Sequence, residues 1–317
     1  MTLPIPYARQ GTIDSPRSPV RTYLRGLAAS SRRVQLVRLR AAVAALTDRQ
    51  TRDVEPAEVL SIAWGELTPE QARLIRDATA RTYDLAHANG ILAAVRGVLD
   101  AADALTPPLA KRLRTVKGER VPRGRHLTAA EKRKLFRACA KDPGPAGIRD
   151  AALLGLGLTC GLRVSEVAGL NVADYDPSTG ELTIRRGKGN KDRRLWVSNG
   201  AQDALADWLA VCGMSRNGPL FTRLRKGGTV MPGRLSPSGL QAIIEHRAAQ
   251  AKVERFTMHD LRRTVVGDLL DEGEDIVTVA AIAGHASPTT TARYDRRPEE
   301  RKREAQSRLT VPYKKRG

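Results

Sequence analysis

The chain contains little from which a metal, redox or membrane site could be built. Its three cysteines, Cys139, Cys160 and Cys212, lie far apart and form no Cys-x-x-Cys pair. Zinc-ribbon and dithiol chemistry are therefore unsupported, and reduced thiols in core positions are expected. No apolar run approaches the ~18 residues of a membrane span, and residues 1–10 lack the apolar centre of a secretion signal. The expectation is a soluble, cytoplasmic protein with no membrane partner. Aromatic residues make up only 4%, so the core must be built from Leu, Val, Ile and Ala, a composition that leans helical. No glycine-rich phosphate loop occurs, and no carboxylate cluster suits two-metal catalysis. Acids are also scarce: 34 Asp and Glu face 54 Lys and Arg, giving a net charge of +20. That excess predicts attraction to polyanions without specifying a fold. Arg outnumbers Lys 42 to 12, and Arg suits bidentate phosphate contacts.

What is present divides along the chain. Residues 1–18 carry several prolines and read as a loose leader. Helical periodicity follows over 20–46, then over 56–64, from Pro69 behind a Thr68 N-cap, and over 85–104. Residues 19–106 thus read as a helical domain of four or five helices. Thr106-Pro107-Pro108 breaks the pattern and opens a segment, 107–126, dense in base. Lys111, Arg112, Arg114, Lys117, Arg120, Arg123 and Arg125 share it with one acid, Glu119. It reads either as a solvated linker or as a strap along a phosphate backbone. A second domain, 127–297, begins with the capping-box pattern Thr128 to Glu131. Helices are expected over 129–140, 146–159 and 163–170, with Gly161 as a helix stop. Residues 181–185 and 193–197 alternate like a hairpin, with its turn at 187–190. The remainder reads as mostly helical, and 298–317 as a basic tail.

Four islands in the second domain carry chemistry. The first is Thr159-Cys160-Gly161-Leu162-Arg163-Val164-Ser165-Glu166, in which Glu166 lies three residues beyond Arg163 and can support its guanidinium. The second is Gly187-Lys188-Gly189-Asn190-Lys191-Asp192-Arg193, a hairpin tip tight enough to bring a lysine to a ligand. In the third, Thr257-Met258-His259-Asp260-Leu261-Arg262-Arg263-Thr264, Thr257 and Asp260 mark a helix start. His259 and Arg262 share a face there, at an end that favours anions. The fourth runs Gly284-His285-Ala286-Ser287-Pro288 to Arg293-Tyr294, with Gly284 closing one helix and Ser287-Pro288 opening the next. Tyr294 is expected nearly two turns into that helix. Taken singly, each island also fits a packing or surface role.

As an ordered set, the islands resemble the tyrosine recombinase family of the phage-integrase type. The family pattern is Arg, Lys, His-x-x-Arg, His or Trp, then Tyr. Here Arg163, Lys188, His259, Arg262, His285 and Tyr294 fill it in order, within 127–297. The resemblance implies a mainly α fold with a small antiparallel β-sheet: an N-terminal helical core-binding bundle followed by a mixed α/β catalytic domain. It implies that Tyr294 attacks a DNA phosphodiester and forms a 3′-phosphotyrosyl link, with no metal, ATP or other cofactor. Arg163, Arg262, His259 and His285 would stabilise the transition state, with Glu166 in support. Lys188 is the best-placed general acid, and Lys191 remains open for that role. Implied partners are double-stranded DNA carrying paired inverted repeats, and three further copies of the chain in a head-to-tail ring around nucleoid DNA. The tail would dock on a neighbouring protomer or, alternatively, add DNA affinity. A catalytically dead architectural DNA-binding protein and a type IB topoisomerase-like enzyme are the competing readings.

Overall fold

The structure is a computed structural model that describes residues 7, 18–118, 124–185, 192–285, 287–292, 294, 303 and 306–313. It divides into two compact units, Met1–Pro122 and Arg123–Gly317. The mainly helical content with small antiparallel β-structure is the expected fold class.

Unit 1 is helical: α1 Pro19–Arg25, α2 Ala29–Thr47, α3 Pro56–Ser61, α4 Pro69–Thr82, α5 Leu85–Asp100 and α6 Pro107–Arg112. Thr68 caps α4 through a reciprocal capping box with Gln71, and Asp84 caps α5. Leu39, Val43, Ile75, Ile91, Val95, Leu99 and Trp64 fill the core. Gly97 lets α1 approach α5 closely, because a Cβ there would lie 2.2 Å from the Tyr23 ring. The 107–126 segment differs from a uniform linker. Pro107 opens helix α6, and Leu109 and Leu113 enter the unit 1 core. Arg96 donates to the Leu113 carbonyl at 3.0 Å, and Asn89 brackets the Val116 backbone. Leu109 and Leu113 stand four residues apart, a helical spacing that the charge count obscured.

Unit 2 contains α7 Ala129–Ala140, α8 Pro145–Cys160, α9 Val164–Gly169, α10 Gly200–Cys212, α11 Pro237–Gln250, α12 Met258–Asp271, α13 Ile276–Ala283 and α14 Pro288–Ala292, with a main core and a smaller cluster between α12 and α13. Strands β1 Glu181–Ile184 and β2 Arg193–Trp196 form the expected hairpin, with Ile184 opposite Arg193. A second hairpin, β3 Thr222–Leu224 with β4 Val230–Arg234, stands where a mostly helical remainder was expected. Pro232 and Gly233 in β4 and a register shift after Thr222 explain why alternation gave no signal there. The buried guanidinium of Arg247 binds Asp150 and Asp142, tying α11 to α8. Gly157 on α8 admits α12, since a Cβ there would lie 2.7 Å from Leu261. The first described residues of unit 2 are stapled along α12. Arg125 N–H donates to Asp260, Leu127 N–H donates to Thr264 Oγ1, and the His126 ring bonds Asp268. These partners recur every fourth residue of the helix and so share a face. Among the described residues, no helix is long and apolar enough to cross a membrane, and all three cysteines are buried free thiols.

Candidate active site

Two left-handed glycines place the site. Gly161 ends α8 at φ 56° and Gly284 ends α13 at φ 62°, a region open to glycine at little cost. Each turn presents a carbonyl to an arginine from elsewhere. Arg262 on α12 donates through Nη1 to Gly161 O at 3.0 Å, and Arg163 donates through Nη2 to Gly284 O at 2.7 Å. Arg163 is itself the N-cap of α9, whose third residue is Glu166. The Glu166 carboxylate accepts from the Arg163 backbone N–H at 2.8 Å and from Arg163 Nη1 at 2.8 Å.

Arg262 is only 3% exposed, and its Nη2 has no hydrogen-bond partner among the described residues. Burial, followed by repulsion from Arg163, lowers its pKa to about 10. A buried guanidinium with an unused donor is a position prepared for an anion. His259 stands one turn before it on α12, behind the Thr257–Asp260 capping box. The imidazole has exposed surface, yet partial desolvation lowers its pKa, with Arg262 the next contributor. His285 shares a hydrogen bond between Nδ1 and the buried Thr291 Oγ1 at 2.8 Å. Burial, then the charges of Arg262 and Arg163, pull its pKa down to about 4. At neutral pH His285 is therefore uncharged, with Nε2 left to meet a ligand.

Tyr294 lies beyond the end of α14, not two turns inside a helix as its sequence context suggested. The helix ends at Ala292, and Tyr294 N–H closes a turn onto Thr291 O at 2.9 Å. Its ring stacks on His285, centroids 6.1 Å apart and planes 13° apart. The Arg263 guanidinium carbon lies 5.1 Å from the Tyr294 ring centroid, and Val266, Leu270 and Val279 pack nearby. The structure thus brings together Arg163, Glu166, His259, Arg262, His285 and Tyr294. Lys188 and Lys191 lie outside the described residues, as do Arg120 and Arg123.

A model of the Phage integrase family matches residues 125–301. The chain belongs to the phage integrase family. Among curated proteins it is similar to the tyrosine recombinase XerC of Herpetosiphon aurantiacus, 32% identical over 172 residues, covering 53% of this chain and 54% of that protein. It is likewise similar to XerC of Thermodesulfovibrio yellowstonii, 35% identical over 177 residues and covering 53% and 56%. The chain spans about half the length of the curated relatives it matches. Its fold is shared with the Tn1549 transposon integrase in complex with transposon right end DNA, at TM-score 0.65, 16% identity and coverage of 92% and 99%. It is also shared with a lambda integrase dimer bound to a core site, at TM-score 0.62, 15% identity and coverage of 91% and 96%.

Within this integrase-family site, one residue of the second island had been given no role. Arg193, at the start of β2, donates through Nη1 and Nη2 to the two Glu166 oxygens at 3.0 and 2.9 Å. Burial pushes the Glu166 pKa up. The bonds from Arg193 and Arg163 more than offset this, and the pKa falls to about 2. The sequence signal was a basic residue opening a strand beside a lysine-bearing turn, which alone fits any hairpin. Of the basic strap residues, Lys111, Arg112, Arg114 and Lys117 are exposed. The Arg125 guanidinium is engaged within unit 2, binding Glu131 and the Glu254 carbonyl.

Proposed function

We propose that this chain is a site-specific DNA recombinase that cleaves and rejoins strands through Tyr294, using no metal or nucleotide. The observation that carries this reading is the buried Nη2 of Arg262, which has no hydrogen-bond partner among the described residues, set beside Arg163, two neutral histidines and a tyrosine. A phenol with an ordinary pKa near ~10 is a weak nucleophile at neutral pH. It needs help from a cationic site that stabilises the charge gathering on the phosphate. In the proposed step, the Tyr294 hydroxyl gives up its proton, to an uncharged site histidine or to water, and its oxygen bonds to phosphorus as the bond to the 5′-oxygen breaks. That oxygen leaves with a proton from Lys188 or Lys191, and a 3′-phosphotyrosyl link remains. Attack by a second 5′-hydroxyl reverses the step and frees Tyr294. Arg163 and Arg262 would hold the non-bridging oxygens, and His259 and His285 would add donors to them. Losing one such donor typically costs about 3–4 kcal/mol of barrier, by analogy with oxyanion holes.

The partner in this reading is duplex DNA with paired inverted repeats. The exposed Lys111, Arg112, Arg114 and Lys117 would contribute salt-dependent phosphate contacts. Four protomers would pair two duplexes in a heterologous ring. The test is a nicked half-site substrate that traps the covalent intermediate. Wild type should give an SDS-stable adduct, and Tyr294→Phe should bind DNA but give none. An adduct from the phenylalanine variant would overturn the role of Tyr294. Binding without any adduct from wild type would favour the architectural reading instead.

A further inference from the structure

Arg193 is a charged side chain of the site that the proposed chemistry does not use. It makes no hydrogen bond to a backbone carbonyl among those described, and both its terminal nitrogens engage the single carboxylate of Glu166. That carboxylate is 8% exposed. Its two oxygens receive four donors: two from Arg193, and the backbone and Nη1 of Arg163. The neighbouring turn is shaped around the Arg193 guanidinium, because a Cβ on Gly284 would meet its central carbon at 2.9 Å. The same Gly284 supplies the carbonyl that holds Arg163 Nη2.

We propose that Arg193 is a positioning residue for strand cleavage: by clamping the Glu166 carboxylate bidentately, it fixes the plane into which Arg163 docks. The proposal rests on the recombinase reading above. A carboxylate turns easily about its last side-chain bond, a broad sp³–sp² torsion. Two parallel bonds from a planar fork remove that freedom, which a single ammonium cannot do. Without Arg193, the carboxylate keeps only its bonds to Arg163 and can rotate with it. The Arg163 guanidinium then remains present and charged, but no longer aimed. Outer-shell partners of this kind typically alter activity about 10–100-fold at metal sites, and an effect of that order is expected here.

The experiment compares wild type, Arg193→Gln, Arg193→Lys, Glu166→Gln, Arg163→Ala and the Arg193→Gln/Glu166→Gln double variant. Each is assayed for DNA binding and for covalent adduct formation, on a natural half-site and on one with a methylphosphonate at the scissile position. The methyl group removes the negative charge that Arg163 meets, so a misaimed Arg163 matters less on that substrate. Arg193→Gln should bind DNA within about twofold of wild type and form adduct about tenfold or more slowly. Its deficit should shrink on the methylphosphonate, as that of Arg163→Ala does, and the double variant should be no slower than the slower single. Arg193→Lys should show a partial deficit that shrinks in the same way, and it decides the matter if the glutamine variant does not fold. An unchanged cleavage rate, or an equal deficit on both substrates with multiplying effects in the double variant, would overturn the positioning role. If wild type formed no adduct on either substrate, the recombinase reading itself would fail.

Discussion

Arg262 donates to the carbonyl of Gly161 across the α8–α12 junction, and that bond holds a buried guanidinium whose Nη2 has no partner among the described residues. An unpaired buried donor costs about 1–3 kcal/mol, so in the absence of DNA the site carries an instability that an anion would relieve. Arg262→Met keeps the volume while removing the charge and the orphan donor, and it gives up one bond to Gly161. Its thermal midpoint should stay within about 2 °C of wild type or rise, given roughly 2–4 °C per kcal/mol in a protein this size. Adduct formation should be lost. A fall of more than about 5 °C by calorimetry would show that Arg262 is structural first.

Acid should destabilise the DNA-free protein in two separate windows. His285 titrates at about 4 when folded, against an unfolded value near ~6.5. The unfolded chain therefore binds more protons between those values, and this contribution is lost as pH falls from 6.5 towards 4. Glu166, at about 2 when folded against ~4.3 unfolded, acts the same way at lower pH. Its contribution is present above 4.3 and lost as pH falls towards 2. Unfolding midpoints should decline through the first window in wild type and decline less steeply in His285→Asn. Equal slopes in both proteins would mean that His285 is not the depressed group.

Much of this site was readable because its signals are local. Thr128, Thr257 and Gly161 act within three or four residues of themselves, and the capping boxes and helix stop stand where their spacing put them. The errors involve distance. Arg193 and Glu166 are 27 residues apart, and nothing in either neighbourhood specifies the other. The second hairpin was hidden by Pro232 and Gly233 inside a strand. The tyrosine helix was read as too long because Ser287-Pro288 marks a start but no residue after it marks a stop. The basic segment looked uniform because seven charges outweighed Leu109 and Leu113, whose burial in unit 1 depends on tertiary packing.

The two cap glycines should respond differently to alanine. Both sit at positive φ, where a Cβ costs roughly 1 kcal/mol, so each variant should lose a similar amount of stability. At Gly161 the added methyl meets Val265 at 3.4 Å and the Arg262 Cα at 3.7 Å, both ordinary contacts. At Gly284 it would lie 2.9 Å from the Arg193 guanidinium carbon. Gly284→Ala should therefore slow adduct formation several-fold more than Gly161→Ala at matched stability, by single-turnover kinetics below both midpoints. Similar rates in the two variants would separate the Gly284 turn from the alignment of Arg163.

The tail makes a prediction about assembly. Leu309, Val311 and Tyr313 are 80%, 79% and 69% exposed, a run of apolar side chains that nothing among the described residues covers. Short helical segments need a surface to dock on, and exposed apolar groups close together mark a contact. Residues 299–317 also carry seven Lys or Arg against three Glu, so the tail could instead act electrostatically on DNA. The apolar run favours a protein surface, and in the ring proposed above that surface belongs to a neighbouring protomer. Deleting residues 299–317 should then leave binding to a single site within about twofold, with an unchanged salt slope, since few phosphate contacts are lost. Pairing of two sites and complete recombination should both weaken strongly. Gel-shift titrations on one-site and two-site DNA at several salt concentrations, run beside a recombination assay, distinguish the cases. Equal loss of affinity for both DNAs, with a shallower salt dependence, would make the tail a phosphate strap and exclude docking in trans.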